Sequence, residues 1–384
     1  MADAVERFEG AFARWLGVRS ACAFWKGRVA LYAILRALGI GEGDEVILPG
    51  YTCVMDVNPI KYLGARAVFV DIEPATYNLD VRLLEEKITP RTKVVIAQHT
   101  YGYPCEMDAM LQVAGRHGIP VVEDCCLALG STYKGKRCGT FGLASYWSFQ
   151  WNKLFTTGIG GMVTTSDREL AEKIARVRDA EACGPGTKEA LLLSAERVVR
   201  RALLFPWTFA LLESTFRWLV DRGLVVGSSA TAEYKQQIGQ DFFKTMGAGQ
   251  GRAGLAAMRR LDANIAHRRH LTKVYDALLD ACAWPRPAIP NHMDPVLVRY
   301  PVRVADKAAA VALARHRRLE LGTWFDCPLH QILASLEEYD YHPGMCPNAE
   351  KAAREVVNLP LHPRAKERHA RESVELIAEI GPAA

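Results

Sequence analysis

Apolar and polar positions follow two different periods along the first half of the chain. Short runs rich in β-branched residues are separated by longer segments in which apolar residues recur every three or four positions. The runs predicted to be strands are DEVILP, ARAVFVDI, TKVVIAQHT, IPVVEDCC, ASYWSF and GGMVTT. This alternation predicts an α/β fold with a mostly parallel central sheet that helices cover on both faces. In such a sheet, ligands bind at the carboxyl ends of the strands.

The pattern changes beyond about residue 250. Long helical stretches rich in Ala and Arg follow, together with the strand-like run PVLVRYPVRV, which indicates a second, α+β domain. We therefore predict a large domain over residues 1–250 and a smaller C-terminal domain over residues 251–384, with an apolar helical insertion at about residues 190–240. The first 20 or so residues are predicted to pack on the small domain.

An aromatic and apolar segment, residues 197–227, lies close to this boundary. Its longest uncharged run, Ala202–Leu212, is far shorter than the roughly 20 residues needed to cross a bilayer. Two interpretations remain open. The tryptophans and flanking arginines suit a pair of amphipathic helices at a membrane surface. They equally suit burial against the subunit or its partner, which is the interpretation we favour.

Composition and charge narrow the class of protein. The 384 residues are 49% hydrophobic and 24% charged, which is typical of a globular enzyme-sized chain. The 48 basic and 43 acidic residues are spread along the sequence without dense basic runs, so no nucleic-acid partner is predicted. Ten cysteines without a CxxC pair, behind an N-terminus without a signal-peptide pattern, predict reduced thiols, a cytoplasmic location and no metal site.

Lys153 stands between an aromatic-rich run and a glycine-rich turn in ASYWSFQWNKLFTTGIGGMVTT. A solvated loop lysine is one explanation. The other is a Schiff-base lysine for pyridoxal phosphate (PLP), which requires in addition a phosphate cradle and a carboxylate for the pyridine nitrogen. Asp124 offers such a carboxylate at the end of the predicted strand PVVED, where an acid also suits a helix cap. A negative charge there keeps the pyridine nitrogen protonated and makes the ring an electron sink.

The phosphate of that cofactor needs backbone N–H groups and a hydroxyl group. The periodic helix VALYAILRAL follows Gly27 and Arg28, so the N–H groups of both residues are predicted at a helix N-terminus, where anions bind favourably. Ser148 lies near Lys153 in the sequence and adds a hydroxyl donor. Each signal is common by itself, but together with Lys153 and Asp124 they predict a PLP site.

These motifs occur in an order that resembles the DegT/StrS-type family of PLP-dependent sugar aminotransferases. The resemblance covers nearly the full chain and rests on GRVALYAILRALGIGEGDEVILPGYTC, GARAVFVDIEPATYNLD, ITPRTKVVIAQHTYGYPCEMDAM, VVEDCCLALGSTYKGKRCGTFG, SFQWNKLFTTGIGGMVTT, PLHQ and CPNAEKAAREVVNLPLHP. It implies the fold of aspartate aminotransferase (fold type I) and a homodimer whose active sites lie at the subunit interface.

The resemblance also implies roles for individual residues. Lys153 would be the Schiff-base lysine and proton shuttle, and Asp124 the partner of the pyridinium nitrogen. Ser148 and the turn Gly27–Arg28 would bind the phosphate. His330 would lie near the substrate. His99 also matches a family position, where we expect a buried, hydrogen-bonded histidine.

Several positions depart from the family pattern. Leu127 stands where a Gln or His usually faces the phenolic oxygen of the cofactor, and Cys53 where an aromatic side chain stacks on its ring. Ile159 replaces a glutamate of the glycine-rich turn, and Phe243 an asparagine that reaches the neighbouring subunit. Polar contacts have thus become apolar, while the lysine and the aspartate that PLP chemistry requires are retained.

The leading hypothesis is therefore transfer of an amino group from an amino acid, such as glutamate, to a keto acceptor, for which the family implies a nucleotide-linked ketosugar. A second hypothesis retains PLP but changes the reaction to dehydration, or the acceptor to a hydrophobic or lipid-linked molecule. A third is a non-catalytic binding or regulatory protein that has inherited the fold.

Overall fold

The protein, described here from a computed structural model, has defined structure over residues 3–203, 238–239, 242–332 and 335–383. Within these ranges the strands are β1 Ser20–Phe24, β2 Glu45–Pro49, β3 Thr52–Cys53, β4 Arg66–Val70, β5 Thr92–Gln98, β6 Val121–Asp124, β7 Thr132–Tyr133, β8 Lys136–Arg137, β9 Ala144–Ser148, β10 Gly161–Thr165, β11 Met293–Asp294, β12 Tyr300–Arg303, β13 Leu329–His330 and β14 Val356–Leu359. The six runs predicted as strands correspond to β2, β4, β5, β6, β9 and β10.

The α-helices of the same ranges surround these strands. They are α1 Ala4–Leu16, α2 Gly27–Ala37, α3 Val54–Tyr62, α4 Met107–Arg116, α5 Arg168–Glu181, α6 Thr187–Leu203, α7 Ala248–Met258, α8 Leu261–Ala281, α9 Lys307–Arg317, α10 Pro347–Glu355 and α11 Glu367–Ala378. The helix predicted to begin at Gly27 does begin there, and its core-facing side packs against β9 and β10.

A seven-stranded sheet in the order β1-β10-β9-β6-β5-β2-β4 forms the centre of the fold. Strands β4, β2, β5, β6 and β9 pair in parallel. All five residues of β2 and of β10 are buried, because helices cover both faces of the sheet, and this explains why the strands read as continuous apolar runs. The predicted α/β fold with a mostly parallel central sheet is confirmed.

One edge of the sheet differs from the prediction. Strand β10 pairs antiparallel with β9, and β1 pairs antiparallel with β10 at the edge. The sequence of β1, SACAF, lacks β-branched residues and was not predicted as a strand. It is a strand because β10 offers an edge to pair with, and Phe24 closes the core beneath it.

The C-terminal half contributes its own small sheet and a link to the large one. Strands β12 and β14 pair antiparallel, with α8 and α11 packed together beside them. Strand β13 pairs in parallel with β3, which sets His330 opposite Cys53. Helix α1 packs on α7, and the ring of Phe8 in α1 lies directly against Gly254 in α7. The domain boundary at residue 250 remains a prediction.

The segment 197–227 lies largely outside the described residues. Only its first part belongs to a described helix, the end of α6. Among the helices of the described ranges, none is long and apolar enough to cross a membrane.

Candidate active site

Asp124 is the last residue of β6, beside Tyr146 of the neighbouring strand β9. Its carboxylate is 5% exposed, and one oxygen accepts a hydrogen bond of 2.8 Å from the backbone N–H of Cys126. A turn follows β6 and no helix begins there, so Asp124 does not cap a helix. The bond to the N–H of Cys126 fixes the orientation of this side chain.

A second acid, Asp56 of α3, lies close to Asp124, and the sequence reasoning missed it. The Tyr146 hydroxyl donates a hydrogen bond of 3.0 Å to Asp56 Oδ1, and the Thr52 hydroxyl lies 3.4 Å from Oδ2. Burial, and then repulsion from Asp124, raise the pKa of the Asp56 carboxyl to about 8. At neutral pH most of the Asp56 carboxyl groups are therefore protonated. The only signal for Asp56 in the sequence was an acid within the apolar run YTCVMDVN.

Lys153 lies in a turn after β9, in which its backbone N–H donates a hydrogen bond of 3.0 Å to the carbonyl of Gln150. The side chain is partly buried, and its Nζ lies 5.2 Å from the ring centroid of Trp324. Its positive charge acts on the carboxyl of Asp56, as does the negative charge of Asp124. The charges of Lys153 and Asp124 therefore both act on Asp56, and the role of the pair at a cofactor stays a prediction.

The predicted phosphate cradle is also assembled. Helix α2 begins at Gly27, and no side chain caps it. A Cβ atom added at Gly27 would lie 2.9 Å from the Cβ of Ser148, which is too close for two carbon atoms that are not bonded. Only glycine therefore allows the helix N-terminus to come this near to Ser148. Arg28 is buried next to them. A helix N-terminus beside a hydroxyl group suits a phosphate, and the residues present fit the phosphate group of PLP.

Cys53 and His330 form one wall of the region. They pair across β3 and β13, and burial raises the pKa of the Cys53 thiol to about 12. Burial also lowers the pKa of His330 to about 4, so its imidazole is neutral at physiological pH. His330 Nδ1 accepts a hydrogen bond of 3.2 Å from the N–H of Asp326, which leaves the proton on Nε2. Nε2 is buried and has no hydrogen-bond partner among the described residues.

The remaining predicted positions have more ordinary surroundings. Leu127 is buried in the turn after β6. Ile159 packs with Trp25 and Leu193 in a small apolar cluster. Phe243 packs against the rings of Phe24 and Tyr32 of its own chain, at 5.8 and 5.2 Å between centroids. In the described structure, Ile159 and Phe243 serve apolar packing.

His99 occupies a fully buried position, as expected. Its Nε2 lies 3.0 Å from Glu123 Oε2, and its Nδ1 accepts a hydrogen bond from the N–H of Cys105 at 2.9 Å. Glu123 also accepts hydrogen bonds from three backbone N–H groups of the loop 139–142. His99, Glu123 and Cys125 are near enough to ligate a metal ion. Because both ring nitrogens and both carboxylate oxygens are already hydrogen-bonded, we interpret this group as a structural network.

Two residues from the C-terminal half complete the region and were also missed by the sequence reasoning. The ring of Trp324 lies near two cations. Its centroid is 5.2 Å from Lys153 Nζ and 4.8 Å from Arg299 Cζ. Arg299 had a weak signal, a charge inside the strand-like run PVLVRYPVRV. Trp324 had none, because only the tertiary fold brings it to Lys153.

Comparisons with known proteins point to one family. The family model described as the DegT/DnrJ/EryC1/StrS aminotransferase family matches residues 1–189 and 212–378. GDP-perosamine synthase of Caulobacter vibrioides is 48% identical over 174 residues, which is 45% of this chain and 47% of that protein. The matched part thus spans about half the length of this relative. The pleiotropic regulatory protein of Geobacillus stearothermophilus is 30% identical over 386 residues, 99% of this chain and 90% of that protein.

Solved structures extend the likeness to the whole fold. DesV of S. venezuelae, solved in complex with a ketimine intermediate, superposes with a TM-score of 0.76 at 27% identity, over 99% of this chain and 89% of that one. This likeness confirms the predicted fold class, and the family match confirms the resemblance noted in the sequence. PLP is the cofactor that the family implies. The chain belongs to the DegT/DnrJ/EryC1/StrS aminotransferase family.

Proposed function

We propose that this protein is a PLP-dependent aminotransferase that moves an amino group from an amino acid, such as glutamate, to the keto group of a nucleotide-linked sugar. The observation that carries the proposal is that Lys153 and Asp124 both act on Asp56, while Gly27 and Ser148 approach each other at the start of α2. The name of a relative that is matched over about half of its length, GDP-perosamine synthase, supports a sugar nucleotide as the acceptor.

We assign a role to each of these residues from its position in the site. The N-terminus of α2 at Gly27 and Arg28, with the Ser148 hydroxyl, would bind the phosphate of PLP. Asp124, held in place by the N–H of Cys126, would keep the pyridine nitrogen protonated. Bound PLP supplies an electron sink for the carbanion at the donor Cα. The Lys153 amine would move the proton between that Cα and the C4′ carbon of the cofactor.

The apolar departures shape the surroundings of the cofactor. Cys53 and Leu127 offer the ring apolar contacts in place of an aromatic and a polar side chain. We propose in addition that the protein is a cytoplasmic homodimer, as the family resemblance implies. Contact with a membrane surface through residues 197–227 has no support from the related proteins, and the preferred interpretation of that segment remains burial within the protein or its dimer.

A second candidate function is regulatory binding without turnover. It is favoured by one observation, the name of the relative that matches nearly the full chain, a pleiotropic regulatory protein. Such a protein would have no need of a lysine and an aspartate arranged for PLP chemistry, and for that reason we place aminotransfer first.

A visible absorption spectrum of the purified protein, before and after addition of L-glutamate, tests the proposal. We expect the absorption band of lysine-bound PLP, its replacement by that of pyridoxamine phosphate, and release of 2-oxoglutarate. Lys153→Ala should abolish all three, because no other amine replaces the ammonium there. Lys173→Ala, at a surface lysine of α5, is the matched control and should behave as the unmodified protein. A PLP band that glutamate and other amino acids leave unchanged would favour the regulatory candidate.

A further inference from the structure

The hydrogen bonds around Gln98 determine which way the neighbouring Thr52 hydroxyl donates. Gln98 Nε2 donates to the backbone carbonyl of Tyr51 and to the Thr100 hydroxyl oxygen, each at 2.9 Å. A backbone carbonyl only accepts, so this contact identifies the nitrogen of the Gln98 amide, and its Oε1 is an acceptor. The Thr52 hydroxyl lies 2.5 Å from Oε1 and therefore donates its hydrogen there.

The same hydroxyl oxygen locates the proton of Asp56. A threonine hydroxyl has one hydrogen, and Thr52 has already given it to Gln98. Its oxygen also lies 3.4 Å from Asp56 Oδ2, so a hydrogen bond between the two requires a hydrogen on Asp56. The Tyr146 hydroxyl donates to the other carboxyl oxygen, Oδ1, at 3.0 Å. Asp56 is therefore a neutral acid that donates from Oδ2 and accepts at Oδ1, in agreement with its raised pKa.

Two charges and three neutral groups surround Asp56. The neutral groups have pKa values that burial raises, so they stay protonated at pH 8, and they are Cys53 of β3, Cys126 of the turn after β6 and Tyr146 of β9. The charges are those of Asp124 and Lys153. Arg28 of α2, the helix that packs on α3, acts on Cys53. Because Asp124 opposes the ionisation of Asp56, a positive charge placed beside Asp124 weakens the hold of Asp56 on its proton.

We propose that Asp56 is the proton store of the cofactor site, which holds a proton in the PLP-free protein and releases it when the protonated pyridine ring of PLP lies beside Asp124. This inference rests on the proposed function and makes Asp56 a positioning residue, because it acts through Asp124. The Oδ2–H bond breaks, its electron pair stays on Asp56, and the proton passes to the pyridine nitrogen or to water. The new carboxylate then stabilises the positive charge of the ring.

Infrared difference spectroscopy of the PLP-free full-length protein against Asp56→Asn tests whether Asp56 holds the proton. A protonated carboxyl group has a C=O stretching band that a carboxylate lacks. We expect this band at pH 6 and its loss as the pH rises through about 8. Asp179→Asn, at a side chain 70% exposed, is the matched control and should reveal no such band at pH 6, because an ordinary Asp has a pKa of roughly 4. Absence of the band for Asp56 at pH 6 would overturn the inference.

Variants of the two hydrogen-bond partners test the direction of each bond. Thr52→Val removes the acceptor of the Asp56 hydrogen, so the midpoint of the infrared titration should move to lower pH. Tyr146→Phe removes a donor to Oδ1 and should move the midpoint to higher pH. Thr52→Ser keeps the hydroxyl group and should leave the midpoint in place. A higher midpoint in Thr52→Val would mean that Thr52 donates to an ionised Asp56, which contradicts the inference.

Isothermal titration of the PLP-free protein with PLP at pH 7 tests the release of the proton. Measurement in two buffers with different ionisation enthalpies counts the protons exchanged on binding. Asp56→Asn keeps the shape of the side chain and a donor for Thr52, but has no carboxyl proton to release. We expect the unmodified protein to release roughly half to one proton more than Asp56→Asn. Asp179→Asn should match the unmodified protein, and equal counts for Asp56→Asn and the unmodified protein would overturn the inference.

The same preparations separate this inference from the proposed function. The proposed function fails if the unmodified protein shows no PLP band, or if amino acids do not alter that band. A PLP band that responds to glutamate, together with equal proton counts, leaves the proposed function intact and overturns the proton store. If Thr52→Val does not fold, the infrared band of Asp56 and the proton count still decide, because neither depends on that variant.

Discussion

The two walls of the candidate active site differ in how their charges are held. On the acidic wall, Asp124 and Asp56 receive hydrogen bonds from the N–H of Cys126 and from the Tyr146 hydroxyl. On the cationic wall, Arg299 and the Nε2–H of His330 have no hydrogen-bond partner within the described structure. Groups held by the protein suit a resident cofactor, whereas groups with unused donors suit a substrate that comes and goes. The contrast supports the proposal that the acidic wall serves the cofactor (the cofactor wall) and the cationic wall a substrate (the substrate wall).

The largest expected effect follows from removing the charge of the cofactor wall. Asp124→Asn keeps the shape of the side chain and an acceptor for Cys126, but loses the negative charge. We expect the amino-transfer rate to fall roughly 10²-fold or more, because a buried charge pair with the pyridinium is broken. The rate of the half-reaction with glutamate, followed by absorbance, measures it.

Asp179→Asn, at an aspartate with a side chain 70% exposed, is the control and should leave the rate unchanged. A rate for Asp124→Asn within tenfold of the unmodified protein would mean that Asp124 does not serve the cofactor.

A smaller effect is expected from the substrate wall at His330. His330→Asn can still accept from the N–H of Asp326 but lacks the donor at the Nε2 position, so the affinity for 2-oxoglutarate should fall roughly tenfold. His330→Gln restores an N–H group near that position and should recover most of the affinity. Because burial lowers the pKa of His330 to about 4, titration of its imidazole should not alter the affinity between pH 6 and 8.

Calorimetry of both variants at three pH values in that range provides the measurement. Equal affinities of the Asn and Gln variants would argue that His330 acts only through packing. A tenfold loss of affinity from pH 6 to pH 8 that is absent in His330→Gln would show instead that the histidine binds in its charged form.

The smallest expected effect is on the stability of the folded chain and concerns Asp56 of the acidic wall. Burial, and then Asp124, raise the pKa of Asp56 in the folded chain to about 8, far above the ordinary value of roughly 4. Between these values the folded state binds a proton that the unfolded state has released, so the stability contributed by Asp56 is lost as the pH rises from 5 to 8. Asp56→Asn has no such proton. Its melting temperature relative to the unmodified protein should therefore be higher at pH 8 than at pH 5, by roughly 2–4 °C.

Differential scanning fluorimetry of the full-length protein without PLP measures this difference. Asp179→Asn again serves as the control, because an exposed carboxyl should show no change of that difference with pH. A pH-independent difference for Asp56→Asn would mean that Asp56 is ionised throughout this pH range.

The sequence predicted the strands whose apolar runs were long enough to recognise, and missed the strand β1. The strands β2, β5 and β6 are almost fully buried, and each contains a run of consecutive apolar residues. Strand β1 has small residues and depends on the edge of β10 for its pairing. Local composition therefore predicts a strand only where burial by itself demands it.

The residues of the candidate site likewise fall into two groups, those that sequence motifs indicate and those that only the fold identifies. Lys153, Asp124, Gly27 and Ser148 follow directly from motifs next to strand ends or a helix start, because the chemistry needs those residue types there. Asp56 gave only a faint signal, and its importance depends on Tyr146, which reaches it from another strand. The placement of His330 opposite Cys53 likewise required the pairing of β13 with β3.

By itself, the sequence determined the α/β fold and predicted the residues around the expected cofactor, because periodicity, strand ends and glycine turns are local properties of the chain. Only the tertiary structure decided which charges of the C-terminal half face Lys153. Arg299 and Trp324 are 146 and 171 positions away from Lys153 along the sequence, as their residue numbers show. Their proximity arises from packing between distant elements, and the unused donors of the substrate wall become visible only when every nearby acceptor has been located in space.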